Sequence, residues 1–177
     1  MVKQRKLLLF SILFYLLLAV CLSSLLLSYN YFIMPDGPVY TITGKNLVTG
    51  NGYTYYGKPS FKYPPLTPLA IGVLYRCIND LELAGHLVSI IAFACAAALF
   101  FYFVCRYYGM CAAHCATFLL VTHPVILSEM HRARSHWLDL FLTVVMLFCI
   151  VRLAVKSKVP WGTVVVCGVS MGLAMLN

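Results

Sequence analysis

The sequence predicts an all-α integral membrane protein of about five membrane-spanning helices, with a short interfacial helix after a long first external loop. Composition gives the first reason. Of the 177 residues, 62% are hydrophobic and 10% charged, and mean hydropathy is +0.89, whereas a soluble domain carries about 25% charged residues. That leaves too little polar surface to clothe a core in water, so the excess apolar surface faces lipid. The second reason is pattern: the apolar runs are continuous and not alternating, which selects helices over a closed barrel.

The first run follows the basic start Lys3-Gln4-Arg5-Lys6 and extends from Leu7 to about Met34, longer than the roughly 7 to 15 residues of a signal-peptide core. It reads as a retained anchor. Leu18-Ala19-Val20-Cys21 approaches a lipoprotein cleavage box, but Val20 is bulkier than the small residue such a site takes, and further spans follow. From Pro35 to Pro65 the texture turns to Gly, Pro, Tyr, Thr, Asn and Lys, with turn signals at Asp36-Gly37, Thr49-Gly50-Asn51-Gly52 and Tyr56-Gly57-Lys58-Pro59; this predicts a water-facing loop. Leu66 to Ile78 is apolar but only about thirteen residues long and opens on Pro64, Pro65 and Pro68, which places it at the interface and not across the bilayer.

Leu83 to about Tyr107 is the second span and Met110 to about Leu127 the third, joined by the turn Arg106-Tyr107-Tyr108-Gly109 and expected to pair as a hairpin. His123-Pro124 should break or kink the third before the polar run Glu129 to Trp137. Leu138 to about Val155 is the fourth span, Lys156-Ser157-Lys158 a turn, and Trp161 to Asn177 the fifth. The chain is thus one membrane domain over 1–177: a first span over 1–34, an external loop with its interfacial helix over 35–80, and four further spans over 81–177.

Thirteen Lys and Arg against five Asp and Glu give a net charge of +8. In a soluble chain such an excess points to nucleic acid; here the cations edge the apolar runs, so the expected partners are membrane lipids and no nucleic acid. Placing the basic start in the cytoplasm puts Arg106 and the Arg152 to Lys158 cluster there too. The loop 35–65 and the run 129–137 then face outward, in an inner (plasma) membrane. The eight cysteines lie mostly inside apolar runs as small hydrophobes; Cys111, His114 and Cys115 could share a helical face, but a fourth metal ligand is not evident.

On this topology Asp36, just after the first span, and Asp139, opening the fourth, share the outer rim. Carboxylates at that boundary are costly unless paired, solvated or used. Near them stand Glu129, His131, Arg132, Arg134 and His136; a helical run would line up Glu129, Arg132, His136 and Asp139 on one face. An acid that activates an acceptor or holds a divalent cation, with arginines that grip phosphate, suits transfer from a phosphate-activated lipid donor. The competing reading is that charges collect in short membrane loops because loops are wet.

The order of these residues resembles the membrane-embedded glycosyltransferases of the C superfamily: the aminoarabinose transferase, protein O-mannosyltransferase and rhizobial lipopolysaccharide glycosyltransferase family. The matching features are Asp36-Gly37-Pro38-Val39-Tyr40, Gly52-Tyr53, Tyr63-Pro64-Pro65-Leu66-Thr67-Pro68-Leu69, a long hairpin, His123-Pro124, and Arg134-Ser135-His136-Trp137-Leu138-Asp139-Leu140. The resemblance implies a polyprenyl-phosphate sugar donor and a lipid, glycan or protein acceptor; the compact loops favour undecaprenyl phosphate in a bacterial plasma membrane over dolichol in the endoplasmic reticulum. It implies catalytic roles for Asp36 and Asp139, which would also be the ligands of a divalent cation, and a substrate contact for Tyr40. Glu129, Arg132, Arg134 and His136 complete the expected substrate-binding set, the arginines by their charge. Two departures stand out: many relatives carry Asp-Glu where this chain has Asp36-Gly37, and relatives run to more spans. The resemblance thus implies the N-terminal part of a larger glycosyltransferase fold, and the alternatives are an inactive truncated relative, a small helical subunit of a larger membrane partner or, more weakly, a transporter.

Overall fold

The computed structural model describes residues 2–29, 36–130, 132–155 and 160–177. The end of the first apolar run at Met34, the start of the loop at Pro35, His131, and the turn Lys156-Ser157-Lys158 lie outside the described residues. The described chain is helical almost throughout: α1 (Val2–Tyr29), α2 (Gly37–Val48), α3 (Leu66–Ile78), α4 (Leu81–Tyr108), α5 (Met110–Thr122), α6 (Pro124–Glu129), α7 (His136–Val155) and α8 (Trp161–Met175). The all-α expectation holds. Among the described residues three stretches have the length and apolarity to cross a membrane: Gln4–Leu26, Leu81–Tyr108 and His136–Val155. Helices α5, with 13 residues, and α8, with 15, are apolar but shorter.

Helix α4 is the axis of the molecule. Its 28 residues extend about 42 Å at 1.5 Å per residue, and its small side chains Ala92, Ala94, Ala96, Ala97 and Ala98 are buried, which lets neighbours approach closely. Around it pack α1, α5, α7, α3 and α2, with α8 laid on α7. The main core joins Phe93 and Phe101 of α4 to Tyr15 and Ala19 of α1, Ala113 and Val121 of α5, and Met130 and Trp137. The outward faces are apolar too: Leu9 and Phe10 on α1 are about two-thirds exposed, as expected of helices whose solvent is lipid.

Local chemistry fixes the boundaries. Asp80 caps α4 by accepting from the Leu83 amide at 2.9 Å, satisfying one of the orphan donors of a first turn. Asn79 ends α3 in the left-handed region at φ 54°. Gly109 lies at φ 92° between α4 and α5, and the two helices pack as the expected hairpin. The break at His123-Pro124 is also where expected: α5 stops at Thr122 and α6 begins at Pro124, because a proline cannot continue the preceding hydrogen-bond ladder.

Two expectations need correction. The stretch from Pro35 to Pro65 is not simply a loop. It contains the twelve-residue α2 and a two-stranded ribbon of β1 (Thr54–Tyr55) and β2 (Lys58–Pro59), antiparallel, with Tyr55 opposite Lys58. Its turn residues Tyr56 and Gly57 both have positive φ, which suits the twist of a tight hairpin. Nor is the run from Glu129 to Trp137 one helical face: α6 ends at Glu129 and α7 starts at His136, so Glu129, Arg132, His136 and Asp139 are not in helical register. Tertiary anchors hold this corner in place of a ladder. Trp137 Nε1 donates to the Glu129 carbonyl at 3.1 Å, the Arg134 amide donates to Ser89 Oγ at 3.4 Å, and Met130 and Ala133 are buried.

Helix α2 is locked onto the bundle by glycines. A Cβ on Gly44 would lie 2.2 Å from the Pro68 carbonyl oxygen, and one on Gly72 would lie 2.3 Å from that of Gly44. These backbones touch, and only glycine leaves room for that. On the other side, a Cβ at Gly85 would meet Ala133 at 2.9 Å and Thr41 at 3.0 Å, so α2, α4 and the 129–136 corner meet at one point.

Candidate active site

Asp36 occupies the N-cap position of α2, yet its carboxylate does not cap the helix. It turns instead to the segment leading into α3. Tyr63 donates its hydroxyl to Asp36 Oδ1, and Lys62 Nζ lies 3.3 Å from the same oxygen. The hydrogen bond from Tyr63, with Lys62 and the more distant Arg134 adding to it, holds the Asp36 carboxyl below the usual carboxylate range against an opposing desolvation. Each of these groups favours the ionised form. The pair is open to water, with side-chain exposures of 66% for Lys62 and 42% for Asp36, so Lys62 can swing away at little cost.

One turn into α2 sits Tyr40, buried, its ring 4.5 Å from that of Tyr63 between centroids. Its hydroxyl donates to Ser135 Oγ at 3.4 Å, which ties α2 to the residue immediately before α7. Burial pushes the Tyr40 hydroxyl above its ordinary range; the Ser135 bond opposes this, while the Tyr63 hydroxyl and the charges of Asp36 and Asp139 add to it. Tyr40 is therefore within electrostatic reach of both carboxylates, and Asp36 within reach of Arg134. Residues 36, 40, 134 and 139 thus gather at one end of the bundle.

The remaining expected residues divide. Glu129 is salt-bridged to both Arg132 and Arg134, the second at 2.9 Å, so the arginines expected to grip phosphate already share a carboxylate. Arg134 keeps a buried Nε without a hydrogen-bond partner among the described residues. His136 is exposed and Asp139 half-buried, both in the first turn of α7. Three groups that sequence reasoning gave no role, Lys62, Tyr63 and Ser135, contact the expected residues directly. Their signal in the sequence was adjacency: Tyr63 precedes the proline pair, and Ser135 lies between Arg134 and the helix bearing Asp139.

His114 is used inside the fold. It takes part in a 3.1 Å hydrogen bond with the Tyr15 hydroxyl and a 3.5 Å one with Ser11, linking α5 to α1. Among the described residues no three His, Cys, Asp or Glu side chains gather as metal ligands.

Beside the acidic cluster an apolar groove of about 560 Å³ opens between α3, α4 and α7, lined by Leu66, Leu69, Val73, Val88, Ile91 and Leu138 among others. Leu66 follows the Tyr63-Pro64-Pro65 segment and Leu138 precedes Asp139, so the groove starts where the polar groups end.

Membrane-length helices, an acidic and basic rim at one end and an apolar groove descending from it define an integral membrane protein with a polar site at the lipid boundary. The model of the dolichyl-phosphate-mannose-protein mannosyltransferase family matches residues 62–177, and the chain belongs to that family of membrane glycosyltransferases. The match includes Lys62, Tyr63, the 129–139 corner and the groove; Asp36 and Tyr40 precede it. No curated protein and no solved structure matched the chain.

Proposed function

We propose that the chain contributes to sugar transfer from a polyprenyl-phosphate donor to a hydroxyl-bearing lipid, glycan or protein acceptor on the outer face of a bacterial inner membrane. The observation that carries this reading is the Asp36 carboxylate, favoured in its ionised form at a water-accessible rim by Tyr63 and Lys62, within electrostatic reach of Arg134. Family membership supports the reaction class. The groove supports the donor: its lining is almost wholly apolar, as an isoprenoid chain requires, and its mouth lies next to the charged groups that would meet the phosphate.

In this reading the acceptor hydroxyl displaces Lys62 or Tyr63 and hydrogen-bonds to Asp36. Its oxygen attacks the anomeric carbon, the bond from that carbon to the phosphate oxygen breaks, and polyprenyl phosphate leaves with the electron pair. The acceptor proton passes to Asp36. A carboxylate held at low proton affinity is a weak base, so its contribution is to stabilise positive charge developing on the sugar and to take the proton late. Arg134 would meet the departing phosphate by exchanging its partner Glu129 for it. Asp139 and His136 at the start of α7, and Tyr40, would orient the donor.

For a divalent cation the site offers Asp36 and Asp139, the first already paired with Lys62; the steps above route nothing through a metal. A noncatalytic helical subunit draws support from Glu129, which already neutralises both arginines. A transfer assay in membranes with a polyprenyl-phosphate mannose donor separates the two: Asp36→Asn should lower the rate about 10²-fold or more, and equal rates would remove Asp36 from the mechanism.

A further inference from the structure

At the opposite end of the bundle the charge is reversed. All five acidic residues, Asp36, Asp80, Glu82, Glu129 and Asp139, stand at the end where α4 and α7 begin. The other end carries Arg5 and Lys6 at the start of α1, Arg106 in the last turn of α4 and Arg152 in the last turn of α7. Among the described residues no carboxylate pairs with Arg106 or Arg152. Arg106 and Arg152 line one cavity of about 280 Å³ with Tyr102 and Tyr107.

That cavity shares Phe148 and Arg152 with an apolar groove of about 460 Å³ between α4, α7 and α8, lined by Leu99, Val145, Cys149, Gly162, Thr163 and Val166 among others. Leu99 precedes Arg106 by seven residues and Val145 precedes Arg152 by seven, so on both helices the groove runs about 10 Å from the charged mouth towards the bilayer centre. A cationic mouth opening into an apolar channel at membrane depth has the amphipathic layout of one lipid.

We propose that this end binds an anionic phospholipid, its phosphate between Arg106 and Arg152 and an acyl chain in the groove between α4, α7 and α8. Charge complementarity selects the headgroup: arginine pairs bind phosphate oxygens through several directed N–H bonds, and a zwitterionic lipid gains less from a face without carboxylates. Groove depth selects a lipid over a free anion.

The test uses the full chain reconstituted in nanodiscs of equal parts phosphatidylglycerol and phosphatidylcholine, with lipid retained after detergent extraction counted by mass spectrometry. The wild type should retain phosphatidylglycerol over phosphatidylcholine by about fivefold or more. The double variant Arg106→Gln, Arg152→Gln should lose that preference. Gly162→Leu projects a side chain into open space, since nothing lies within 4 Å of its Cβ position; it should fold, by its helical circular dichroism, yet release the lipid. A wild type without preference, or a double variant that keeps it, would overturn the proposal. So would a Gly162→Leu variant that keeps its preference while inorganic phosphate displaces the lipid, because the site would then be one for a free anion.

Discussion

Tyr63 sets the state of Asp36. Its hydroxyl is the largest cause of the lowered carboxyl pKa, and Lys62 contributes from a solvent-exposed position where salt screens it. Because the folded pKa is depressed, the ionised form and the contacts it makes are present above the ordinary carboxylate value and are lost as pH falls through the folded value. Tyr63→Phe should therefore raise the Asp36 pKa, and the acid limb of the pH–rate profile should move to higher pH; an unmoved limb would mean that another group sets it. Glu129 works differently, as the shared partner of Arg132 and Arg134. Glu129→Gln should destabilise the fold by about 1–3 kcal/mol in thermal unfolding, less than a fully buried pair because about a quarter of each side chain is exposed. At this scale the sequence was partly legible. Asp36, Arg134 and Asp139 could be named from residue type and place at the membrane edge and Tyr40 only from the family resemblance, but Tyr63 could not be given its role, because no periodicity links two residues 27 apart across α2 and the β1–β2 ribbon.

The elements divide in the same way. Runs with a simple period or a strong stop signal were readable: α3 falls on Leu66–Ile78 as its apolar content and prolines predict, and the break at His123-Pro124 is where the ring forbids the helix to continue. Helix α2 was hidden. Its sequence Gly-Pro-Val-Tyr-Thr-Ile-Thr-Gly-Lys-Asn-Leu-Val is rich in poor helix formers, and tertiary contact overrides that weakness by seating Gly44 against Pro68 and Gly72. Gly44→Val should cost about 1–3 kcal/mol through overpacking, read as a lower midpoint in thermal unfolding, and should lower transfer activity because Asp36 and Tyr40 ride on α2. A variant of wild-type stability would show that α2 does not rest on α3 through this glycine. The condition for a helical face at the 129–136 corner is not met for a related reason: the Trp137 bond to the Glu129 carbonyl and the burial of Met130 and Ala133 favour a bend.

Across the whole molecule, α4 separates two chemistries by its own length, with acids gathered at its start and arginines at its end. Composition indicated a lipid-facing protein, and the continuous apolar runs selected helices over a closed barrel. The meeting of distant segments at the acidic rim depends on packing between α2, α4 and α7, which residue order does not encode directly. The central claim is that Asp36 and Asp139, 103 positions apart, face the same water layer. The most direct measurement places a single cysteine at position 36 or 139 in a background with the eight native cysteines replaced by serine or alanine, and labels sealed, oriented vesicles with a membrane-impermeant maleimide. Both positions should react from one and the same side; labelling of one from outside and the other only after permeabilisation would contradict the account.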